Sequence, residues 1–459
     1  PNLTLSLGMR YEMSTVPHDS FGRDYSIHTL TATPSTVTRG PLFNNPTYLG
    51  FSPRVGLAWD PFHNGKTSVR AGFGIYNDLP LAYIFHRDTS TTPFYKAGSI
   101  RKIPTGAFPS GCYSLLGPTT IRGQFAQQNP DRPYVMHYDF DVQRQLMSNM
   151  VLSVAYMGER GIHLLRAFNQ FDTVIPTQTP AGLVFPPTTS AASVVFNPNF
   201  GRIQGFTFDN QAFYDALDVQ LTQHMSHGLS FTAAYTWEKS MDYTDALFTA
   251  NEFNTTTDSP YPLDLFYNYG VADYDIPQNF IFSGTWDVPT PSSWTGPAKA
   301  VLGGWEVGSI ITAQSGEPFT ATLSGDPAGT KSAQPAERPN AVPCSGGLTT
   351  GNPNAYINTS CFSFPAAGTL GDEQRNALEG PGLADWDFSL MRNFKISKLG
   401  EAGNLQFRAE FFNILNRADF APPPHGIYNS AGHIIAGAGE ITSTAEAQRE
   451  IQFALKLMF

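Results

Sequence analysis

The sequence contains little charge for its length. Asp, Glu, Lys and Arg make up 14% of its 459 residues, whereas a typical soluble domain carries roughly 25%. The net charge is −10, and there is no basic stripe of the kind that binds nucleic acid. The composition therefore disfavours an ordinary soluble domain and a nucleic-acid-binding protein.

Long hydrophobic runs are also missing. A transmembrane helix needs about 20 consecutive apolar residues, and the sequence has no such stretch. The N-terminal PNLTLSLGMRYE lacks the basic and apolar segments of a signal peptide. We expect the sequence to begin inside a longer protein.

Motifs for catalysis and metal binding are absent as well. Three cysteines are too few for a disulfide scaffold, and they show no zinc-ligand spacing. Neither G-x-S-x-G nor H-E-x-x-H occurs. The acidic loop at 258–277 lacks the D-x-D-x-D-G spacing of a calcium loop. The histidines are scattered, which favours solvated or hydrogen-bonded roles over metal ligation: His137, His163, His224, His227 and His425. We therefore predict no enzyme and no cofactor.

Period-two alternation of apolar and polar residues is abundant. It predicts β-strands with one apolar face. The final REIQFALKLMF is the clearest case, with Phe453, Leu455, Leu457 and Phe459 on one side. Twelve segments of roughly nine to thirteen residues show the pattern, and a tilted strand needs about 9–11 residues to cross a bilayer. They lie around 3–11, 51–59, 68–75, 136–142, 152–156, 217–221, 229–237, 280–288, 305–311, 386–390, 405–411 and 451–459.

The connections between these segments alternate in length. Short turns are expected at FHNGK, MSNM, HMSHG and SKLGEAG, and a slightly longer one at PTPSSWTGPAKA. Compact soluble domains rarely carry many loops longer than about 15 residues, whereas outer-membrane barrels have tight turns at one rim and long loops at the other. The pattern favours an all-β, antiparallel transmembrane barrel over a soluble sandwich or propeller. The long connections are 13–50, 78–134, 161–213, 241–278, 317–384 and 417–447.

Charged residues separate by face. Most fall on the polar parity, which lines the lumen of a barrel: Arg10, Arg54, Arg70, Asp139, Asp141, Glu238, Asp287, Glu306, Asp387, Lys395, Arg408 and Glu410. Two cations, Arg144 and Arg392, fall on the apolar parity. Two explanations remain open for them: the side chains reach lipid headgroups, or a bulge shifts the register. Apolar-face aromatics near strand ends fit an aromatic girdle: Tyr11, Trp59, Tyr156, Trp237 and Trp386.

The acidic pairs Asp139/Asp141 and Asp385/Asp387 have two interpretations. They form paired carboxylates of a reactive site, or they belong to an ion-pair lattice with Arg54, Arg70 and Arg408 along the lumen wall. The lattice is favoured, because it neutralises charges that a plug or water would otherwise solvate.

Several stretches resemble the C-terminal barrel of Oar-like TonB-dependent receptors. They include FSPRVGLAWDP, DYDIPQNFIFSGTWDVP, GGWEVGSIITAQSGEPFT, RNALEGPGLADWDFSLMRNFKI and LQFRAEFFNILNRADF. The resemblance implies the last twelve strands of a 22-stranded barrel, with the plug and an N-terminal carboxypeptidase-regulatory-like domain absent. It also implies that the barrel-assembly machinery reads Phe453, Leu455, Leu457 and Phe459 as a C-terminal signal.

An outer-membrane location would be oxidising, so a disulfide is permitted. Cys344 and Cys361 lie in the same long connection, and we expect them to pair. Closing that loop would stabilise the protein by roughly 3 kcal/mol in the chain-entropy model. Cys112 would be left over, or would pair outside this sequence.

The resulting functional expectation is an outer-membrane transport receptor for a large solute. Residues 1–459 would form one barrel domain, with extracellular loops and a periplasmic C-terminus. Its expected partners are membrane lipid, the TonB complex, the assembly machinery and an unidentified substrate. The alternative is an adhesin or structural barrel that binds partners through its loops without transport. An upstream plug with a TonB box would favour transport, and an adhesive repeat would favour the alternative.

Overall fold

The twelve predicted strands form one antiparallel sheet in which sequence neighbours pair in space. The computed structural model describes residues 2–34, 36–80, 84, 91–94, 96–97, 100, 102–108, 111–115, 120–180, 182–191, 194–244, 259–332, 337–396 and 403–459. The wall strands are β1 (Leu3–Tyr11), β2 (Phe51–Trp59), β3 (Thr67–Asn77), β4 (Tyr134–Met147), β5 (Met150–Phe168), β6 (Arg202–Ser226), β7 (Leu229–Asp242), β8 (Gln278–Asp287), β9 (Trp305–Gln314), β10 (Leu383–Lys395), β11 (Asn404–Phe412) and β12 (Glu450–Met458). The predicted all-β fold is confirmed.

Four strands are longer than the sequence pattern predicted. β4, β5, β6 and β7 have 14, 19, 25 and 14 residues, so the expectation of nine to thirteen is wrong for them. The pairing of β5 with β6 continues to Phe168 opposite Gly205, with register shifts around Asn210. The connection 161–213 is therefore partly a β-ladder. Its apolar alternation ends earlier because, in a barrel, only the bilayer-spanning part must present one apolar face.

Tight turns close one rim of the sheet. His63 and His227 adopt positive φ in two of them, each followed within two residues by a positive-φ glycine, as hairpin turns require. The connection between β8 and β9 contains a short helix, α1 (Gly296–Leu302). The expected turn SKLGEAG lies outside the described residues, apart from Gly403.

The strand register confirms the two-face assignment. Phe407 lies opposite Leu455 and Arg392, while Arg408 lies opposite Ala454 and Met391. Protein does not cover the apolar face at its β12 edge, since Leu455 remains 70% exposed. A soluble sandwich would bury this face against a second sheet about 10 Å away, so that alternative is wrong.

The first and last wall strands form the two edges of the sheet. In the described part of the chain, β1 pairs only with β2 and β12 pairs only with β11. Residues on both faces of β1 are exposed. The expected curved wall without a ladder between β1 and β12 agrees with this pairing. The expectation of 22 strands stays a prediction.

The hydrophobic core lies largely in the long connections. We call their described residues outside the wall strands the loop layer; the connections are 13–50, 78–134, 161–213, 241–278, 317–384 and 417–447. Buried clusters form around Phe43, Phe168, Phe185 and Phe319. Short strands and 3-10 helices join the layer: Tyr25–Ser26, Thr38–Arg39, Pro46–Leu49, Lys96–Ala97, Tyr113–Leu115, Thr120–Ala126, Thr177–Thr179, Gly182–Val184, Phe266–Asn268, Gly270–Val271, Pro318–Phe319, Thr322–Leu323, Asn340–Ala341, Pro353–Ala355, Thr359–Cys361, Phe362–Ser363, Leu378–Glu379 and Gly426–Tyr428.

Among the described residues, wall strands pair with one another only in the antiparallel direction, and each parallel ladder involves a short strand of the loop layer. Thr120–Ala126 pairs with the start of β6, and Thr322–Leu323 pairs with Gly426–Tyr428. Among the described residues, no helix has the length and hydropathy needed to cross a membrane.

The structure joins Cys344 and Cys361 in a disulfide whose Cα atoms are 4.9 Å apart. This separation is within the roughly 7 Å limit for a bridged pair. Cys361 is fully buried in the cluster around Phe319 and Tyr428. The bridge therefore fastens the end of its loop to a hydrophobic centre of the loop layer.

Candidate functional site

The predicted lumen residues share the polar face but do not form the expected ion-pair lattice. Arg70 lies opposite Asp141 in the register, yet no ion pair joins their charged groups within 4 Å. Arg54 instead stacks on Tyr76, with its guanidinium carbon 4.4 Å from the ring centre. Arg408 pairs with Glu410 on its own strand at 3.3 Å. The lattice hypothesis is wrong in its pairings, since Arg54 contacts an aromatic ring on the neighbouring strand and Arg408 pairs along its own strand.

Another predicted cation of the polar face, Arg10, also has a local partner. Its Nη2 atom lies 2.6 Å from Glu12 Oε1 at the loop-side end of β1. The other charged positions on this face, Asp287, Glu306 and Lys395, lie at the short-turn ends of their strands.

Most of the polar-face carboxylates accept hydrogen bonds from neighbouring groups. Asp141 accepts from Ser153 Oγ at 2.7 Å, and Asp387 accepts from the Asn413 amide at 3.0 Å. Glu238 accepts from the Tyr214 hydroxyl at 3.1 Å. Asp139 has only a long contact of 3.8 Å with His137.

A pocket of about 300 Å³ lies where the polar face meets the loop layer. Its polar wall contains Glu159, Tyr214 and Ser240, and Tyr274 of the loop layer closes one side. His137 Nδ1 lies 3.0 Å from Glu159 Oε1, which fixes that carboxylate at the pocket edge. The remaining lining residues are Val135, Gly161, Leu164, Ala212 and Phe213. The pocket combines apolar and aromatic surface with few polar groups, as small-molecule sites do.

Buried charges fasten the loop layer above this pocket. The Arg375 guanidinium donates to Asp242 at the end of β7, and both side chains are at least 95% buried. Asn376 Nδ2 donates to Asp273 Oδ1 at 2.7 Å and to the Val271 carbonyl at 2.8 Å. The sequence analysis assigned no role to these residues, although they begin two of the stretches that carry the family resemblance.

An unpredicted polar cluster lies on the apolar face. Asp215 accepts from Arg160 Nη2 and the Tyr156 hydroxyl, both at 2.7 Å, and from the Tyr138 hydroxyl at 3.0 Å. Lys239 lies opposite Asp215 in the register and pairs with Asp275 at 2.9 Å. The sequence alternation could have placed Asp215 on the apolar face, because Asp215 precedes Leu217 by two positions and residues two apart on a strand share a face. The cluster marks the loop-side limit of the apolar band.

The two charged exceptions have different surroundings from those expected. The β9–β10–β11 register runs through Arg392 without a shift, and its guanidinium donates to the Ala300 and Val301 carbonyls at the end of α1. Arg144 also keeps its register and donates to Thr67 Oγ1; the nearby irregularity follows it, between Gln145 and Met147. The register-shift explanation is therefore wrong for both. Headgroup contact by Arg144 stays a prediction.

No metal site emerges among the described residues: no group of three His, Cys, Asp or Glu side chains is arranged to hold an ion. In the loop at 258–277, Asp264 accepts from the Tyr267 amide, and Asp275 from Lys239 and the Ser240 amide. Asp258 lies outside the described residues. The described carboxylates of this loop, Asp264, Asp273 and Asp275, thus accept hydrogen bonds from the protein itself.

One buried carboxyl in the loop layer is strongly perturbed. Glu337 is fully buried, and burial together with the adjacent Asp326 raises its pKa to about 9. Its Oε2 atom accepts from the Ala328 amide at 3.0 Å. The group is protonated at neutral pH and joins two segments of the loop layer.

Comparison with known proteins agrees with this architecture. Residues 1–452 match the family described as "Outer membrane beta barrel domain". The chain belongs to this family. Membership of the family places the chain in the outer membrane and its apolar face against lipid. No curated protein sequence matches the chain.

Solved structures of transporters and receptors are similar at low identity. The outer membrane transporter YddB from Escherichia coli has 11% identity and a TM-score of 0.47, covering 91% of this chain and 41% of its own. The ferric preacinetobactin receptor BauA from Acinetobacter baumannii has 11% identity and a TM-score of 0.42, covering 100% and 40%. A mutant of the ferric enterobactin receptor PfeA from Pseudomonas aeruginosa has 11% and 0.43, covering 89% and 40%. The chain spans about 40% of the length of these proteins.

Proposed function

We propose that this chain forms part of the wall and the loop layer of a TonB-dependent outer-membrane transport receptor. A solute binds where the loop layer meets the polar face, and the polar face lines its path. The observation that carries the proposal is the pocket bounded by Glu159, Tyr214 and Tyr274. It opens on the face that lines the lumen of a barrel, and a loop residue contributes to it.

Two further features support the proposal. The stretches that resemble Oar-like receptors contain Asp273, Arg375 and Asn376, which fasten the loop layer beside this pocket. The long connections carry hydrophobic clusters of their own, so the loop layer offers a folded surface for recognition. In the proposed orientation the loops are extracellular and the C-terminus is periplasmic.

The proposal includes two partners. The TonB complex supplies the energy for transport through the remainder of the receptor. The barrel-assembly machinery reads the last strand together with the residue that follows it, whose apolar side chains are exposed at the sheet edge: Phe453, Leu455, Leu457 and Phe459.

The test compares solutes removed from a complex medium by cells with the intact receptor, by a deletion strain and by a TonB-deficient strain. Mass spectrometry of the medium is expected to reveal a solute class removed only by the first strain. The variant Ala212→Trp, which fills the pocket, should abolish this removal. Ala155→Trp lies on the same face outside the pocket and should retain it.

The adhesin alternative gives the opposite pattern. All three strains would then remove the same solutes, and the deletion strain alone would lose surface attachment. That result would overturn the transport proposal. Surface labelling of the receptor confirms that each variant reaches the outer membrane in equal amount.

A further inference from the structure

A second groove, of about 460 Å³, lies at the loop-side rim of the wall. It spans β7 to β10 and includes the loop-side terminal residues of β8, β9 and β10, namely Gln278, Gln314 and Leu383. The other lining residues are Tyr235, Phe280, Ala313, Ser315, Gly382, Ala384 and Arg417.

The strand register explains the shape of the groove. Tyr235 lies opposite Phe280, Phe280 opposite Ala313, and Ala313 opposite Ala384. These four residues therefore form one row on the apolar face, with two aromatic side chains followed by two methyl groups. The abrupt loss of side-chain volume leaves a recess with an aromatic wall and an alanine floor.

Arg417 provides a positive charge at the edge of this recess. Its Nη1 atom donates to Asp419 Oδ1 at 2.9 Å and to the Ala384 carbonyl at 3.5 Å. Asp419 is 1% exposed and also accepts from the Ala384 amide, which fixes it beside the floor. The Arg417 side chain is 46% exposed, and its Nε and Nη2 groups have no hydrogen bond to any described residue.

The groove lies near one boundary of the bilayer. Phe280 is seven residues from the short-turn end of β8 at Asp287, which corresponds to roughly 23 Å along a strand. With a strand tilt of about 40°, this is roughly 18 Å of height, against an apolar band about 25 Å tall. The recess therefore opens into the hydrocarbon, and Arg417 lies toward the headgroups.

We propose that this groove binds a membrane lipid with an anionic headgroup. One acyl chain packs along the alanine floor against Tyr235 and Phe280, and the headgroup phosphate accepts hydrogen bonds from the outward Nε and Nη2 groups of Arg417. In the proposed orientation the lipid belongs to the outer leaflet. Its binding is independent of solute transport, so failure of one proposal leaves the other unaffected.

The test is native mass spectrometry of the intact receptor, titrated with dimyristoyl phosphatidylglycerol or dimyristoyl phosphatidylcholine. These lipids have the same tails and differ in headgroup charge. The anionic lipid should be retained preferentially. Arg417→Gln should lower the ratio of retained anionic lipid to retained zwitterionic lipid by about fivefold, as expected for one arginine near an anionic lipid surface.

A second variant tests the groove itself. Ala384→Leu fills the floor without touching the charge, and it should reduce retention of both lipids. Ala71→Leu is the matched control, because Ala71 lies on the apolar face of β3, far from the groove. Thermal unfolding identifies any variant that loses its fold. If either Arg417→Gln or Ala384→Leu is unfolded, the lipid retention of the other variant tests the proposal.

Three results would overturn the proposal. The first is equal retention of both lipids by the unmodified receptor. The second is Ala384→Leu matching Ala71→Leu. The third is a receptor dimer that dissociates in Ala384→Leu, which would show that a second copy occupies the groove.

Discussion

The side-chain amide of Asn376 donates to the Asp273 carboxylate at 2.7 Å across 103 positions of sequence. Asn376 also exchanges hydrogen bonds with Thr320 through its backbone amide and its Oδ1 atom. Its φ is 55°, a left-handed conformation that Asn tolerates better than most residues. One residue thus connects three segments of the loop layer and needs both its side chain and its backbone conformation to do so.

We predict that Asn376→Ala destabilises the loop layer more than Asn376→Gly does. Both variants lose hydrogen bonds to a buried carboxylate, at a cost of about 1.5–3 kcal/mol. Alanine adds about 1–2 kcal/mol of left-handed backbone strain, which glycine avoids. Thermal unfolding of the purified receptor should therefore rank the unmodified protein first, Gly second and Ala last. Equal stability of the two variants would contradict the backbone argument.

The disulfide gives a second prediction. Cys361→Ser should weaken the loop that contains Cys344 by about 3 kcal/mol, since the bridge spans 17 positions. Limited proteolysis should cleave the variant between the two positions faster than the oxidised protein. A reducing agent should accelerate cleavage of the unmodified protein and leave the variant unchanged. Resistance of the reduced protein would show that the cluster around Phe319 holds the loop unaided.

The buried Glu337 predicts a pH dependence. Its folded pKa of about 9 lies above the usual glutamate pKa of 4.5, so the folded state binds the proton more tightly than the unfolded state. This contribution is complete below about pH 4.5 and is lost as pH rises toward 9. Glu337→Gln keeps a neutral donor and acceptor at the site. Its unfolding temperature should fall less between pH 6 and pH 9 than that of the unmodified protein.

A matched acid provides the control for that experiment. Glu446 is an exposed glutamate of the loop layer, so Glu446→Gln should leave the pH dependence unchanged. Parallel curves for Glu337→Gln and the unmodified protein would contradict the assignment of the slope to this buried carboxyl.

The wall could be predicted from the sequence because the bilayer imposes a local rule. Alternation along β12 states which side chains share a face, and the short turns fix which strands are neighbours. Beyond the bilayer, strands need not alternate apolar and polar residues. The extension of β5 to Phe168 and the early start of β6 at Arg202 therefore could not be predicted from alternation.

The loop-layer contacts lacked any local signal. Arg375 and Asp242 are 133 positions apart, and no spacing rule relates them. Arg392 was recognised as an exception, but its partners in α1 depend on a helix that is only seven residues long. The pairing of Cys344 with Cys361 could be predicted from the sequence because only these two cysteines lie in that connection.

The parity of β12 permits the most direct test of the membrane assignment. Leu455 lies opposite Phe407 on the apolar face, whereas Lys456 lies opposite Gln406 on the polar face. In a barrel, the first side chain faces lipid and the second faces the lumen. Arginine on the lipid face costs about 2–4 kcal/mol near the midplane, and lumen substitutions cost little. Leu455→Arg should therefore lower the free energy of unfolding in lipid vesicles by that amount, and Lys456→Gln should leave it almost unchanged. A one-residue slip of the register would exchange the two results. Equal and small effects would mean that β12 does not border the hydrocarbon, and the assignment of the apolar face to lipid would then be wrong.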